Sequence, residues 1–340
     1  MKIFFTIIIL TIFTVSLNAG DVARKGTTGA EQLLIPVGAR GLATGGAFVS
    51  NLTGLESVYY NPAGLDVLPG AEVMFSYMNY IADINVSYFG VSTSLGDIGS
   101  IALTIKTFDF GDIPLTTSDF PDGDGRTYSP SFFTFGLTYS KLITDRISIG
   151  TNFKLINESI QNTSANGFAI DFGVQYKFDQ QLSIGAALMN IGSNMQYAGP
   201  ELQQRSDISG SNPGSPDGSF EIVSEGFQIP SYFQLSVSYD YNINEQNNLI
   251  FGSAFIANNS LEDNFRFGLE YGFINTFFLR GGYNLSVGDE FENSIYGFTV
   301  GAGIAYDLGG DLGIVFDYAF REVKEFPSSN HMFTVKMTFQ

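Results

Sequence analysis

Six charged side chains interrupt otherwise apolar, alternating runs: Asp171, Lys177, Arg266, Glu270, Arg280 and Asp317. Such a set could line a polar pathway, or its members could pair and fill a closed interior. Charges of this kind are expensive only where they face lipid, and the phase of the alternation puts all six on the inward face. Catalysis finds less support. His331 is the one histidine and there is no cysteine, which removes disulfides, thiolate metal sites and a Cys nucleophile. A Ser-His-Asp relay or a His-ligated metal would have to be built on His331. It stands beside Ser328, Ser329 and Asn330, but no serine lies in a GxSxG context, and there is no glycine-rich phosphate loop followed by Lys and Ser/Thr. The loop Asp119–Arg126 (DFPDGDGR) gathers carboxylates of the kind Ca²⁺ takes, without the twelve-residue spacing or closing Glu of an EF-hand. A solvated acidic loop is its simpler reading. We expect no catalytic residues, no metal, no cofactor and no enzymatic activity.

The composition narrows the setting of those charges. The 340 residues include 34 acidic and 16 basic ones, a net charge of −18 that offers no footprint for nucleic acid. There are 33 Phe, 17 Tyr and 39 Gly, with only 15% charged residues, which does not fit a disordered chain. Residues 1–19 read as a secretory signal peptide: Lys2, an apolar stretch from Ile3 to Leu17, and a small residue, Ala19, before the cut. That stretch is shorter than the roughly 20 residues of a spanning helix. A mature membrane form would therefore be a closed barrel, since only helices and barrels satisfy their backbone in lipid.

The elements that must position the charges are strands. In Phe168–Phe178 the residues Phe168, Ile170, Phe172, Val174, Tyr176 and Phe178 alternate with small or polar ones. Phe233–Tyr241 and Phe265–Tyr271 repeat the pattern, the signature of a strand with one apolar face. About fourteen such segments are expected, near 71–80, 85–95, 98–108, 131–141, 146–157, 166–178, 181–191, 229–241, 247–257, 262–272, 276–285, 293–307, 311–321 and 331–339. The phase near 85–108 is ambiguous. Even-numbered strands are followed by tight turns, such as Gly96-Asp97, Asp179-Gln180 and Gly309-Gly310. Odd-numbered ones are mostly followed by longer loops, the longest at 109–130 and 192–228. Sorting of short and long connections to opposite rims is the habit of bacterial outer-membrane barrels. We expect an all-β transmembrane antiparallel barrel over residues 71–340, in the outer membrane of a Gram-negative cell, contacting its lipid and with both termini on the periplasmic side. The long loops suit docking to a partner.

Residues 20–70 break the alternation and read as a small hatch inside the lumen. Two stretches carry the reading: Gly38-Ala39-Arg40-Gly41-Leu42-Ala43-Thr44-Gly45-Gly46-Ala47-Phe48, and Tyr60-Asn61-Pro62-Ala63-Gly64-Leu65. Small residues permit close packing, and Asn-Pro followed by Ala-Gly is a turn signal. These stretches resemble the hatch of FadL-like outer-membrane transport proteins. More closely, they resemble the PorV/PorQ family within that superfamily, associated with the type IX secretion system of Bacteroidetes and relatives. The motif match covers about thirty residues, and a fourteen-stranded barrel behind a hatch covers nearly the whole mature chain. The PorV-like reading implies a cargo shuttle and the PorQ-like one a subunit of a surface-attachment complex, both with protein partners. The FadL-like reading implies a channel for fatty acids or other hydrophobic small molecules. Between these the residues leave the choice open.

Overall fold

The structure, a computed structural model, describes residues 26–339 apart from 180, 208, 209, 211, 213–215, 288–294, 310 and 311. The expected signal peptide, residues 1–19, lies outside the described residues. Fourteen long strands follow the hatch: β1 (Ala71–Asn79), β2 (Asn85–Ser94), β3 (Ser100–Asp109), β4 (Ser131–Thr144), β5 (Ile147–Ile160), β6 (Thr163–Lys177), β7 (Leu182–Gly192), β8 (Tyr232–Asn244), β9 (Asn247–Asn258), β10 (Asn264–Phe273), β11 (Phe277–Ser286), β12 (Tyr296–Asp307), β13 (Leu312–Val323) and β14 (Asn330–Phe339). Each pairs antiparallel with its sequence neighbours, and β14 returns to β1, from Ala71 opposite Phe339 to Asn79 opposite His331. Each of the fourteen strands is paired on both sides, which closes the ring as a sheet in lipid requires.

Alternation sets the two faces. On β3, Ile101, Leu103 and Ile105 point out while Ala102, Thr104 and Lys106 are buried. On β8, Phe233, Leu235, Val237 and Tyr239 point out, and Gln234, Ser236 and Ser238 are each 1% exposed. The outward residues, with Phe75, Phe89, Phe133, Phe135, Phe172, Phe316 and Phe333 on other strands, form an apolar belt around the barrel. A water-facing surface does not carry an apolar area this continuous; a lipid-facing one does.

Short connections close one rim. Ile274 and Asn275 both take left-handed φ, 48° and 52°, the arrangement a two-residue hairpin turn needs. Residues 71 and 339 lie at the same rim. The opposite rim carries 110–130 and 193–231, each with a small antiparallel pairing of its own, Ile113–Pro114 with Thr127–Tyr128 and Gln203–Ser206 with Gly218–Glu221.

Two seams shorten toward the long-loop rim. The β7–β8 ladder stops at Met189 opposite Tyr232, and the β11–β12 ladder at Tyr283 opposite Phe298. Beside the first, β7 bulges. Ile170 faces Ile191 and Phe172 faces Leu188, with Asn190 at φ 58°. Above it the chain turns inward. Ile229 packs on Ala30, Leu33, Ile156 and Ala169 inside the lumen, so the strand expected from 229 starts only at Tyr232, after Pro230.

The hatch passes lengthwise through the ring. Gly29 N donates to Gln228 O (3.0 Å) at the long-loop rim, while Asp66 accepts from Leu142 N (2.7 Å) near the short-turn rim. The barrel's first and last strands meet at the short-turn rim, but residues 26–30 lie at the other, because the hatch runs the height of the lumen before joining β1.

Candidate functional site

The hatch is short turns of helix rather than strand: α1 (Ala39–Ala43), α2 (Ser57–Tyr60) and a 3-10 turn over Pro62–Val67. Asn61 caps the last, its Oδ1 accepting from Ala63 N (3.1 Å), with Pro62 at the first helical position, where its missing N–H costs nothing. Asn61 Nδ2 also donates to Val174 O of β6 (3.1 Å). Leu65 and Ala63 are buried. Gly38 (φ 81°) carries no Cβ because one would meet the Glu56 carboxyl at 2.3 Å. Gly41 N donates to Glu56 Oε1 (2.7 Å), Ala39 N to Thr334 Oγ1 (2.9 Å), and Gly46 N to Gly41 O (2.8 Å). A Cβ on Gly64 would sit 2.2 Å from Leu52 O.

The wall answers with glycines of its own. A Cβ on Gly150 would meet the Pro62 carbonyl carbon at 2.3 Å, and one on Gly282 would meet Gly45 N at 2.3 Å. Gly185, Gly268 and Gly301 similarly face Ser50, Thr44 and Ala43. Backbone lies on backbone around much of the ring. In sequence these glycines are unremarkable residues on the polar face of their strands, and no local pattern marks them.

A chain of ion pairs fixes the hatch to β10, β11, β13 and β14. Arg40 Nε reaches Glu270 (2.8 Å); Arg280 reaches Glu270 (2.5 Å) and Asp317 (2.6 Å); Lys336 reaches Asp317 (3.4 Å) and Glu56 (2.9 Å). Three cations meet three carboxylates. Burial works against the Arg40 charge, and the carboxylates of Glu270, Glu56 and Asp317 more than offset it, holding the guanidinium above its ordinary value. Glu270, Arg280 and Asp317 were expected inside and are brought together here. Glu56 and Lys336 complete the chain; Lys336 was visible as the one cation among the inward positions between Phe333, Val335, Met337 and Phe339. Asp171 pairs instead with Lys154 (2.7 Å), and accepts from Asn190 N (2.8 Å) at the β7 bulge. Lys177 departs from expectation. It has the inward phase, but it is the last residue of β6 and stands exposed at the short-turn rim, below the lumen.

Arg266 takes the inward face but joins no carboxylate among the described residues. It lines a cavity of about 760 Å³ at the long-loop end, above the hatch. Leu34, Ile35, Pro36 and Tyr59 floor it, and Tyr80, Phe108, Phe110, Phe132, Tyr197 and Tyr232 supply aromatic walls. Phe110 and Phe132 meet edge to face at 4.8 Å. Tyr59 donates to Leu34 O (2.8 Å), and burial pushes its hydroxyl well above the ordinary value, so it stays protonated. Both open seams border this space: Asn284 and Ser286 with Ile295 and Tyr296 on one side, Tyr232 on the other. Arg321 joins Arg266 here, donating twice to Asn330 Oδ1 (2.9 and 2.7 Å) with its guanidinium 3.8 Å from the Tyr296 ring centroid. Lys106 donates to Ile35 O and lies 5.1 Å from the Tyr59 ring centroid.

The remaining singled-out residues do not form a site. His331 accepts or donates at Nδ1 to the Tyr318 hydroxyl (2.8 Å) on the outer face, packed between Tyr318 and Phe320. In the acidic loop, Asp124 turns to Arg126 (2.6 Å).

No protein-family model matches the chain, and a comparison with curated proteins likewise finds no match. Solved structures do match in shape. The toluene transporter TodX of Pseudomonas putida superposes with a TM-score of 0.58 at 14% identity, over 90% of this chain and 98% of its own. A Pseudomonas aeruginosa FadL homologue gives 0.55 at 13%, over 90% and 98%. CymD, a monoaromatic hydrocarbon channel, gives 0.56 at 12%, over 90% and 98%. The chain has the FadL-like fold: a fourteen-stranded barrel with a short helical N-terminal segment in its lumen.

Proposed function

We propose that this protein is an outer-membrane channel of the FadL-like transporter type, and that it takes up hydrophobic or amphipathic small molecules through the cavity at its long-loop mouth. The observation that carries the reading is the aromatic cavity of about 760 Å³ set directly above a hatch that fills the rest of the lumen. A concave, largely apolar space with a few convergent polar groups is what a small-molecule site requires. The bulge at Asn190 and the two shortened seams beside the cavity suit a route that leaves the barrel axis. The named neighbours, transporters of toluene and monoaromatic hydrocarbons by their descriptions, support the same class. Cells expressing the protein should accumulate radiolabelled toluene or oleate faster than cells carrying an empty vector. Equal rates for both compounds would overturn the reading.

A second reading rests on a different observation. In the 193–231 connection, Phe220 and Ile222 are each 49% exposed and Val223 is 77% exposed, an apolar patch on the outermost hairpin. A PorV/PorQ-like component of a type IX-like secretion or attachment system would dock partner proteins there. Purification from native membranes through a tag on this chain tests it: co-purifying translocon subunits or secreted cargo would support it, and recovery of the barrel alone would end it.

A further inference from the structure

The charged groups around the cavity are arranged unlike those below it. Arg321 is 6% exposed and Glu158 is 4% exposed. Among the described residues neither they nor Arg266 makes an ion pair. Arg321 is held by an amide oxygen and an aromatic face, Arg266 by Asn264 Oδ1 (3.1 Å), and Glu158 by the Tyr197 hydroxyl. Glu31 of the hatch stands near Glu158 and makes its hydrogen bond with Thr28 (3.0 Å). Glu158 stands across the cavity from Arg266 and Arg321, while Glu262 lines it from the connection that precedes β10. Glu158 is on β5, while Arg266 and Arg321 are on β10 and β13, five and six strands away around a ring of fourteen. A buried charge without a counter-charge carries an unrecovered desolvation cost. Here two such poles face each other across an aromatic space. A molecule with one charge at each end would relieve both at once.

We propose that the cavity binds a small zwitterionic amphiphile, with a carboxylate or similar anion between Arg266 and Arg321, an apolar body along Tyr80, Phe110 and Phe132, and an ammonium beside Glu158 and Glu31. This rests on the reading of the cavity as a small-molecule site and names the ligand class. It sets this chain apart from a channel for neutral hydrocarbon. The guanidiniums supply the planar, forked donors that suit a carboxylate. The acidic wall supplies acceptors only, which reject a second carboxylate and favour a donor-bearing cation.

Calorimetry on the full-length protein in detergent, with four probes of one skeleton, tests the proposal: 3-phenylpropanamide, 3-phenylpropanoate, 3-phenylpropylamine and 3-[4-(aminomethyl)phenyl]propanoate. The zwitterion should bind at least tenfold more tightly than either singly charged probe, and these more tightly than the amide. Glu158→Gln should remove the advantage of the zwitterion over 3-phenylpropanoate and leave 3-phenylpropanoate itself bound. Arg266→Gln should weaken both carboxylates about tenfold and leave the amine unchanged, and Arg266→Lys should restore part of the loss. Retained heat-modifiable migration on gels confirms that each variant is folded. If the amide binds as tightly as the zwitterion, or the zwitterion gains nothing over the anion, the proposal falls while the channel reading stands. If no probe binds but cells still accumulate toluene, the proposal falls alone. If no probe binds and no accumulation occurs, the channel reading falls with it.

Discussion

The lower lumen and the outer mouth are built from the same strands to opposite electrostatic ends. β10 carries Glu270 in the paired chain and Arg266 at the cavity; β13 carries Asp317 in the chain and Arg321 at the cavity. Each step is four residues, about 13 Å along a strand. Below, Arg40, Arg280 and Lys336 meet Glu270, Asp317 and Glu56, and hatch backbone lies on wall glycines. Above, Arg266 and Arg321 stand across an open space from Glu158 and make no ion pair with it. About 13 Å of strand separates a region that is finished by its own residues from one that awaits something else. The contrast also locates mobility: transport that uses this barrel must work around a hatch tied to the wall by the Arg40–Glu270 and Glu56–Lys336 ion pairs, or break them.

Substitutions in the two regions should therefore have different signatures. The largest effect is expected for Gly150→Val, which drives a side chain into the Pro62 carbonyl group. A hatch displaced in this way should turn a barrel that is electrically quiet in planar bilayers into one with steady conductance; an unchanged trace would show that the wall yields instead. Next comes Glu270→Ala, which leaves Arg40 without its carboxylate and Arg280 with Asp317 alone. Removing one partner of a buried pair costs about 3–5 kcal/mol, and the thermal midpoint should drop accordingly. By comparison, Arg266→Gln deletes a cation that has no carboxylate partner among the described residues. Its unfolding free energy should stay within about 1 kcal/mol of the parent while ligand binding changes. Equal losses for the two would erase the distinction between the regions. The smallest effect is expected for Phe220→Ser with Val223→Ser in the outer hairpin, which should alter neither stability nor uptake and should affect only capture of a protein partner. A loss of uptake in this pair would tie the hairpin to the cavity.

Much of the barrel was legible in the chain because lipid outside and a polar lumen inside impose a period of two. The thirteen residues of β8 and the stretch of β6 from Phe168 onward obey it plainly, and the short turns fall where Asp179, Asn244 and Ile274-Asn275 mark them. The contrast failed over 85–108 for a physical reason. Tyr88 and Phe108 face inward there, against the hatch and the cavity, so both faces of the strand are apolar and alternation carries no sign. Lys106 was hidden by the same ambiguity. Lys177 shows the complementary limit: phase tells which face a residue takes, not how far along the barrel axis it lies. The paired chain was half visible, through Glu270, Arg280 and Asp317. Its partner Arg40 had been read as part of a small-residue hatch motif, and the ion pair that joins them spans 230 positions of sequence.

The lengthwise path of the hatch also bears on how the molecule is assembled. Residues 26–70 enter at the long-loop rim, descend through the ring and continue straight into β1, the strand that seals against β14. The β1–β14 seam joins residues 268 positions apart (Ala71 to Phe339), the kind of distant pairing that forms late. By then the leading segment must already occupy the space it fills, since the ion pairs and the glycine contacts leave no room to thread it afterwards. The hatch is thus a mandrel on which the sheet is rolled, and a barrel closed without it would be a different and emptier object.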